Sequence, residues 1–372
     1  MTTLRVVMDA LVASPSDALA RYTTELTRAL IATAPQDCDV EGITSSTTNE
    51  VEARLTSALP GISAVHSATL GSRELAIAWQ LGVVGSSGSG LVHAPSLMAP
   101  LTRHRRDNGD QISVTVHDVF AWTRPESIGA TSVAGTKALL RRARKHADAV
   151  VVPSHAVAEQ LAEISDLGDR IRVIPGAGRP MLSVPSDGDA RARSLGLPSS
   201  YIVASGSLDP REGLESLATG LARSGLGVPL VVLDAGGPEA RQDAPEALHS
   251  PDVLFLGDID DADRAIVLSR SQLFVLPTID DGFGAPLLDA LRLGIPVVHS
   301  DAPALIELAG DAGVSVDRSD PEIYPDRLAS AIESLLADDE RRSLLGLTGS
   351  DRARLFTWRD TGERLWQLHA DL

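Results

Sequence analysis

Two α/β domains, each a parallel sheet wrapped by helices on both faces, are what this sequence predicts, and three observations carry the prediction. Short apolar runs of strand character alternate with amphipathic helical stretches along nearly the whole chain, which is the pattern of a parallel sheet with crossover helices. At 372 residues, 43% of them hydrophobic, the chain is long for one core and apolar enough for two. A turn-rich passage, Pro175-Gly176-Ala177-Gly178-Arg179-Pro180 through Pro185-Ser186-Asp187-Gly188, interrupts the alternation near its middle, where a linker belongs.

In order, Arg5–Ala10 reads as the first strand, and Asp17–Thr33 as a helix with Tyr22, Leu26 and Leu30 on one face. Asp39–Thr44, Leu91–Pro95, Ile112–Val116, Val150–Pro153 and Ile171–Pro175 follow as strands, with helices at Thr131–Ala147 and Ala156–Ile164. After the linker come strands at Tyr201–Ser205, Pro229–Asp234, Val253–Gly257, Leu273–Pro277 and Pro296–Ser300. The tail, Asp326–Leu336 and Asp338–Leu372, reads as helical. Ligands of such domains bind outside the carboxyl ends of the strands.

Composition removes several classes of function. The net charge of −17 argues against nucleic acid as a partner. No apolar run reaches the length of a membrane span, and the chain opens directly on strand-like residues without a signal peptide. Cys38 is the one cysteine, so no intrachain disulfide forms, and the expected address is the cytoplasm. Two basic patches, Arg141, Arg142, Arg144 and Lys145, and Arg103, Arg105 and Arg106, suit a solvated helix face or weak peripheral contact with the inner membrane surface. The first strand-to-helix turn lacks a G-x-G-x-x-G, which counts against a nicotinamide or flavin enzyme. Lys137 and Lys145 are the only lysines, and neither lies where a Schiff base with pyridoxal phosphate needs one.

The most informative stretch is residues 273–317, LFVLPTIDDGFGAPLLDALRLGIPVVHSDAPALIELAGDAGVSVD. A buried-type strand, Leu273 to Leu276, runs into the turn Asp280-Asp281-Gly282-Phe283-Gly284, and a helix follows over Pro286 to Leu293 with Pro286 in its first turn. Strand, glycine loop and helix N-terminus present backbone N–H groups to an anion. Asp281 and Asp289 flank the loop eight positions apart. Both can look into one cleft, but on the residues alone the favoured reading is structural, with Asp281 supporting the helix N-terminus and Asp289 a solvated helix position. The stretch closely resembles the C-terminal signature of the GT-B retaining glycosyltransferases of family 4, in which a Glu, seven residues and a second Glu surround a Gly-Phe-Gly-x-Pro core. Gly282, Phe283, Gly284 and Pro286 are present; both acids are Asp.

The resemblance implies a GT-B fold, with two Rossmann-like doubly wound domains facing across a cleft. It assigns residues 1–180 to the acceptor side, 181–355 to the nucleotide-sugar donor side, and 356–372 to a helix crossing back to the first domain. Phe356-Thr357-Trp358 looks like the family's aromatic motif before that helix. His117-Asp118, closing a strand, resembles the family's His-Asp segment, with His117 beside the donor sugar and Asp118 orienting it or capping the next turn. Arg21 and Tyr22 match an Arg-Tyr after the first loop, although that loop, Ser14-Pro15-Ser16-Asp17-Ala18-Leu19-Ala20, has none of the family's glycines. Ser154 matches a family serine and suits a helix N-cap.

Gly206-Ser207-Leu208-Asp209-Pro210-Arg211-Glu212 resembles the family's phosphate segment. Arg211 is kept, but Ser207 stands where some members carry an arginine and Glu212 stands where a lysine meets the diphosphate. A charge-assisted hydrogen bond to phosphate contributes roughly 1.5–3 kcal/mol, whereas a carboxylate about 4 Å away repels by on the order of 4 kcal/mol at an effective dielectric near 20. Glu212 is therefore expected either to turn into a salt bridge or to weaken the donor site. Both Asp side chains are one methylene shorter than Glu.

What the resemblance implies is a retaining hexosyltransferase using a nucleotide-sugar and a glycan, lipid-linked or small-molecule acceptor, with no metal or other cofactor. Arg211, Gly206, Ser207, Glu212 and the loop Gly282, Phe283, Gly284 and Ala285 form the diphosphate site. His117 and Asp281 position the sugar, Asp289 holds the ribose, and Arg21, Tyr22 and Asp118 serve the acceptor side. The alternative expectation is a catalytically impaired scaffold that binds a partner glycosyltransferase.

Overall fold

The computed structural model describes residues 2–14, 17–83, 90–104, 108–180 and 182–372. Pro15 and Ser16 of the first loop, and Arg105 and Arg106 of the second basic patch, lie outside the described residues. The chain divides into two compact units: Met1–Gly176 with Thr357–Leu372, and Ala177–Phe356.

The first unit holds strands β1 (Thr2–Val7), β2 (Cys38–Thr44), β3 (Ala64–Ser67), β4 (Leu91–Ala94), β5 (Gln111–Thr115), β6 (Ala149–Val152) and β7 (Ile171–Val173). They pair in parallel in the order β3-β2-β1-β4-β5-β6-β7. The second holds β8 (Ile202–Ser205), β9 (Leu230–Leu233), β10 (Val253–Phe255), β11 (Phe274–Leu276), β12 (Val297–Ser300) and β13 (Gly313–Val316). Their parallel order is β10-β9-β8-β11-β12-β13. Each sheet winds outward from its first strand in both directions, so the topological switch points fall between β1 and β4 and between β8 and β11.

Strands buried on both faces need apolar residues at every position, and AVVV in β6, IVAS in β8 and LVVL in β9 are wholly buried. Alternate residues feed opposite cores: Tyr201 and Val203 pack on one face, Ile202 and Ala204 on the other. The final helix, Trp358–Asp371, buries Leu365, Trp366 and Leu368 in the first unit's core, and Trp366 Nε1 donates to the Leu30 carbonyl at 3.0 Å. At about 25 cal/mol per Å² of apolar surface, such a face holds the chain's end in place without a covalent link.

Three details differ from the sequence-based expectation. β1 stops at Val7 rather than reaching Ala10, because Asp9 turns its carboxylate back to accept from Ser45 N at 3.1 Å and a one-turn helix, Ala10–Ala13, begins. The tail after Asp338 is two helices, Asp339–Ala353 and Trp358–Asp371. Thr357 starts the second as its N-cap, accepting from Asp360 N at 3.1 Å. The strands β3 and β13 carry no strong apolar run and were not expected; each pairs with a single neighbour at a sheet edge.

Candidate functional site

Outside the carboxyl ends of β8 and β11 two loops lock together. After β8, Pro210–Glu212 forms a tight helical turn whose N-cap Asp209 accepts from Arg211 N at 2.9 Å and from Arg211 Nη2 at 3.1 Å. Gly213 follows at φ +67°, where any side chain would run into the Pro277 carbonyl, so only glycine starts the helix Leu214–Ser224 this close to the end of β11. The loop after β11 answers: Ile279 N at 2.6 Å and Thr278 Oγ1 at 3.1 Å both donate to the Arg211 carbonyl. Arg211 is thus held by its backbone on one side and its guanidinium on the other.

The acid-glycine loop opens the helix Ala285–Arg292 through Gly284 at φ +86°, with Pro286 in the first turn as expected. Its amides are committed, however. Asp281 Oδ1 accepts from Phe283 N at 2.8 Å and from Gly284 N at 2.7 Å. The expectation has these N–H groups open to phosphate and Asp281 positioning the sugar; in the structure Asp281 Oδ1 takes up both amides. A side chain one methylene shorter than Glu folds back on its own backbone, as Asp does at turns. Phe283 is no ligand platform either. Its ring packs edge-on against Phe356 at 6.0 Å between centroids.

Asp289 is 5% exposed, neither solvated nor turned to a ligand. It accepts from Arg179 N at 2.8 Å, and the Arg179 guanidinium lies at 3.4 Å while also pairing with Asp261 at 2.7 Å. The second acid of the motif therefore anchors the Ala177–Pro180 segment. Gly282 is buried, and Ala285 and Ser207 are exposed, Ser207 Oγ accepting from Asp209 N at 3.3 Å.

Electrostatics single out Glu212. Its side chain folds over Gly206, whose added Cβ would sit 3.0 Å from Glu212 Cβ and Oε2. The expected salt bridge does not form: among the described residues Glu212 has no ion-pair partner, since Arg211 pairs with Asp209 and Arg264 with Asp234. Burial first, and then the Asp281 carboxylate, push the Glu212 carboxyl up to about 7. Burial also acts on Asp234, but its hydrogen bonds from Arg264 and Ser205 prevail and hold it below the usual carboxylate range. Asp209 is likewise held low by Arg211 against the cost of burial.

At the first unit's switch point the imidazole of His117 and the phenol of Tyr22 are neutral. His117 Nε2 donates to the Pro95 carbonyl at 2.8 Å, leaving Nδ1 as the acceptor face. Burial holds its pKa below the ordinary histidine value. Tyr22 stands edge-on to His117 at 4.6 Å and to Trp358 at 5.5 Å. Asp118 caps the next turn through Phe120 N at 3.0 Å, and Ser154 caps the helix His155–Ile164 through Val157 N at 3.2 Å. Arg21 is exposed on the first turn of the helix Ala18–Ala32. A cavity of ≈ 200 Å³ opens beside β1 and β4, its polar lining being Asp9, Ser14, Asp17, Thr23 and Ser96.

Behind Tyr22 runs a buried hydrogen-bonded chain with one self-consistent set of tautomers. The Tyr22 hydroxyl bonds Thr115, Thr115 meets His93 Nε2 at 3.3 Å, His93 Nδ1 meets Ser113 at 2.8 Å, Ser113 meets His369 Nε2 at 3.0 Å, and His369 Nδ1 meets Gln111 at 2.9 Å. Reasoning from sequence missed His93, Ser113, Thr115 and His369, along with Asp9, Asp234, Arg264 and Arg179. The signals present were polar residues inside apolar strands (VHA in β4, ISVT in β5) and an arginine directly before the apolar run AIVL of the helix Asp261–Ser269. Asp234 also sits at φ +67°, rare for a residue with a side chain.

Two family models match the chain, "Glycosyltransferase Family 4" over residues 19–177 and "Glycosyl transferases group 1" over residues 199–338. D-inositol 3-phosphate glycosyltransferase of Corynebacterium efficiens is 28% identical over 221 residues, 55% of this chain and 51% of that protein. O-antigen chain mannosyltransferase B of Escherichia coli is 34% identical over 106 residues, 28% of this chain and 27% of its own. The chain thus spans about half or less of these curated relatives. Among solved structures, sucrose-phosphate synthase from Thermosynechococcus elongatus superposes with a TM-score of 0.74 at 20% identity, covering 100% of this chain and 99% of that one. Anabaena HepE, solved in complex with UDP and glucose, gives 0.73 at 16% identity with 100% of both chains covered. At these identities the structural likeness speaks for the fold. With one family model on each unit and GT-B enzymes as structural neighbours, the chain belongs to the group 1, family 4 glycosyltransferases of GT-B fold.

Proposed function

We propose that the protein transfers a hexose from a nucleotide-sugar to a hydroxyl acceptor with retention of configuration, without a metal. The observation that carries this is the carboxyl end of β8 and β11, where Arg211 is fixed beside the strand ends by Asp209 and by the loop after β11. A guanidinium placed there stabilises the negative charge that grows on a departing nucleoside diphosphate and needs no reorganisation as it does so. The bond between the anomeric carbon and the diphosphate oxygen breaks with its electron pair going to the phosphate, the acceptor oxygen forms the new glycosidic bond, and the acceptor's hydroxyl proton passes to the departing phosphate oxygen.

Supporting the donor class, HepE of the same fold is solved with UDP-glucose, and the relatives named above are glycosyltransferases. In this reading the neutral His117 accepts a hydrogen bond from a sugar hydroxyl at Nδ1. The cavity beside β1 and β4 takes the acceptor, its hydroxyl and carboxylate lining suited to a polyol. Nothing in these relationships favours a scaffold without activity.

Calorimetric titration with UDP-, GDP-, dTDP- and ADP-sugars at pH 6 tests the donor. Binding of one of them is expected; failure of all four at millimolar concentration overturns the reading. Arg211→Ala is expected to weaken that binding by roughly tenfold or more, the loss of one charge-assisted contact.

A further inference from the structure

The carboxylates at the second switch point outnumber the cations. Facing Glu212 are Asp209 and Arg211 from its own turn, Asp281 from the loop after β11 and, from the end of β9, Asp234, which is itself bonded by Arg264 from the helix Asp261–Ser269. Arg179 is the next cation, near Asp234, and it is engaged by Asp261 and Asp289. Each arginine has its own aspartate, and the loop amides of Phe283 and Gly284 have Asp281. Glu212 is the acid left over, half-buried against Gly206. An ionised Glu212 would add a fourth negative charge where the donor reading seats two more.

From this arrangement we infer that Glu212 serves the donor site as a neutral carboxylic acid, donating a hydrogen bond to a diphosphate oxygen, so that nucleotide-sugar affinity rises as pH falls through neutrality. The inference rests on the donor reading above. A protonated carboxyl supplies one O–H donor and no net charge, and so does in part what a cation would do at that position. The surroundings already hold Glu212 protonated near neutrality, burial and Asp281 having pushed it up to about 7. The ligand's charge strengthens the effect, because each added negative charge favours the neutral form further. The group is thus matched to an anion in a way that an exposed glutamate, ionised at that pH, is not.

The expected size follows from the fraction protonated. If the neutral form alone binds, the apparent Kd scales inversely with that fraction, and between pH 6 and pH 8.5 it rises roughly 30-fold for a group titrating at about 7. A nucleotide-sugar is the right probe, since both phosphates are esterified and stay fully ionised over this range. A free nucleoside diphosphate titrates there itself. Burial lowers the His117 pKa below the ordinary histidine value, away from the alkaline end of this range.

The experiment is calorimetry with the nucleotide-sugar that binds best at pH 6, repeated to pH 8.5 in paired buffers of different ionisation heat. It uses the full chain, Glu212→Gln and Glu212→Lys. The wild type is expected to weaken roughly 30-fold and to take up close to one proton per ligand at the alkaline end. Glu212→Gln, which keeps a donor that cannot ionise, is expected to hold the wild type's pH 6 affinity throughout, and Glu212→Lys to bind at least as tightly with a flat profile. A flat wild-type profile overturns the inference, as does an unchanged slope in Glu212→Gln. So does equal weakening of the Gln and Lys proteins at every pH. Absence of binding by all three proteins at every pH overturns the donor reading itself, a result distinct from binding without slope.

Discussion

The two switch points are alike in topology and opposite in chemistry. Outside β1 and β4 stand groups that are neutral as folded: His117 on a carbonyl, Tyr22 on a threonine, and a chain of imidazoles and hydroxyls in which every donor has an acceptor. Outside β8 and β11 stand carboxylates and guanidiniums in pairs, with two acids, Asp281 and Glu212, outside those pairs. Burying a neutral network costs little once each member is satisfied. Burying charges succeeds only while the count balances. The first site is therefore expected to fail when a proton is added, and the second when a cation is removed.

The largest effect expected is on the neutral side. His369 is 4% exposed, and burial pushes its pKa down to about 4. Unfolded it would titrate at 6.5. A depressed histidine is neutral in the fold, so its contribution is complete above the unfolded value and is lost as pH falls towards the folded one. Up to about 3 kcal/mol should disappear between pH 6.5 and 4 through this residue alone. Urea unfolding across that range should show it, and His369→Gln should flatten the acid limb. An acid limb as steep in the variant would place the loss elsewhere.

On the charged side, Arg264→Ala leaves Asp234 without its cation. Breaking a buried pair costs about 3–5 kcal/mol, but the Asp234 side chain is 34% exposed and solvent screens it, so about 2 kcal/mol is expected. Arg264 holds the Asp234 carboxyl below its ordinary value. The deficit should therefore be complete at pH 7 and narrow as pH drops through the carboxylate range, because the stabilisation that Arg264 gives Asp234 is itself lost there. A deficit independent of pH would assign the loss to packing.

What the sequence made legible follows the same division. Parallel strands buried on both faces announce themselves in runs such as AVVV and LVVL, because every position needs an apolar residue. Gly213 and Gly284 are legible as glycines that the backbone requires. Partnership is not written locally: Asp289 meets Arg179 across 110 positions and His369 meets Ser113 across 256. Nor does a motif disclose where a shortened side chain turns. Asp281 could equally have reached outward until its carboxylate was found on Phe283 N and Gly284 N.

That turn gives the smallest and sharpest comparison, Asp281→Ala. Removing the carboxylate uncaps two amides at a partly exposed loop, at a cost of about 1 kcal/mol in urea unfolding. It also takes away the charge that, after burial, does most to keep Glu212 protonated. The two effects separate in one titration. The freed amides and lost charge should tighten nucleotide-sugar binding at the acid end, near pH 6, where Glu212 stays largely protonated. With Asp281 gone, Glu212 also ionises at a lower pH, so any remaining pH dependence should move its midpoint downward. If affinity is instead unchanged at every pH while stability drops, Asp281 is a loop cap alone, and the charge imbalance outside β8 and β11 has no bearing on the ligand.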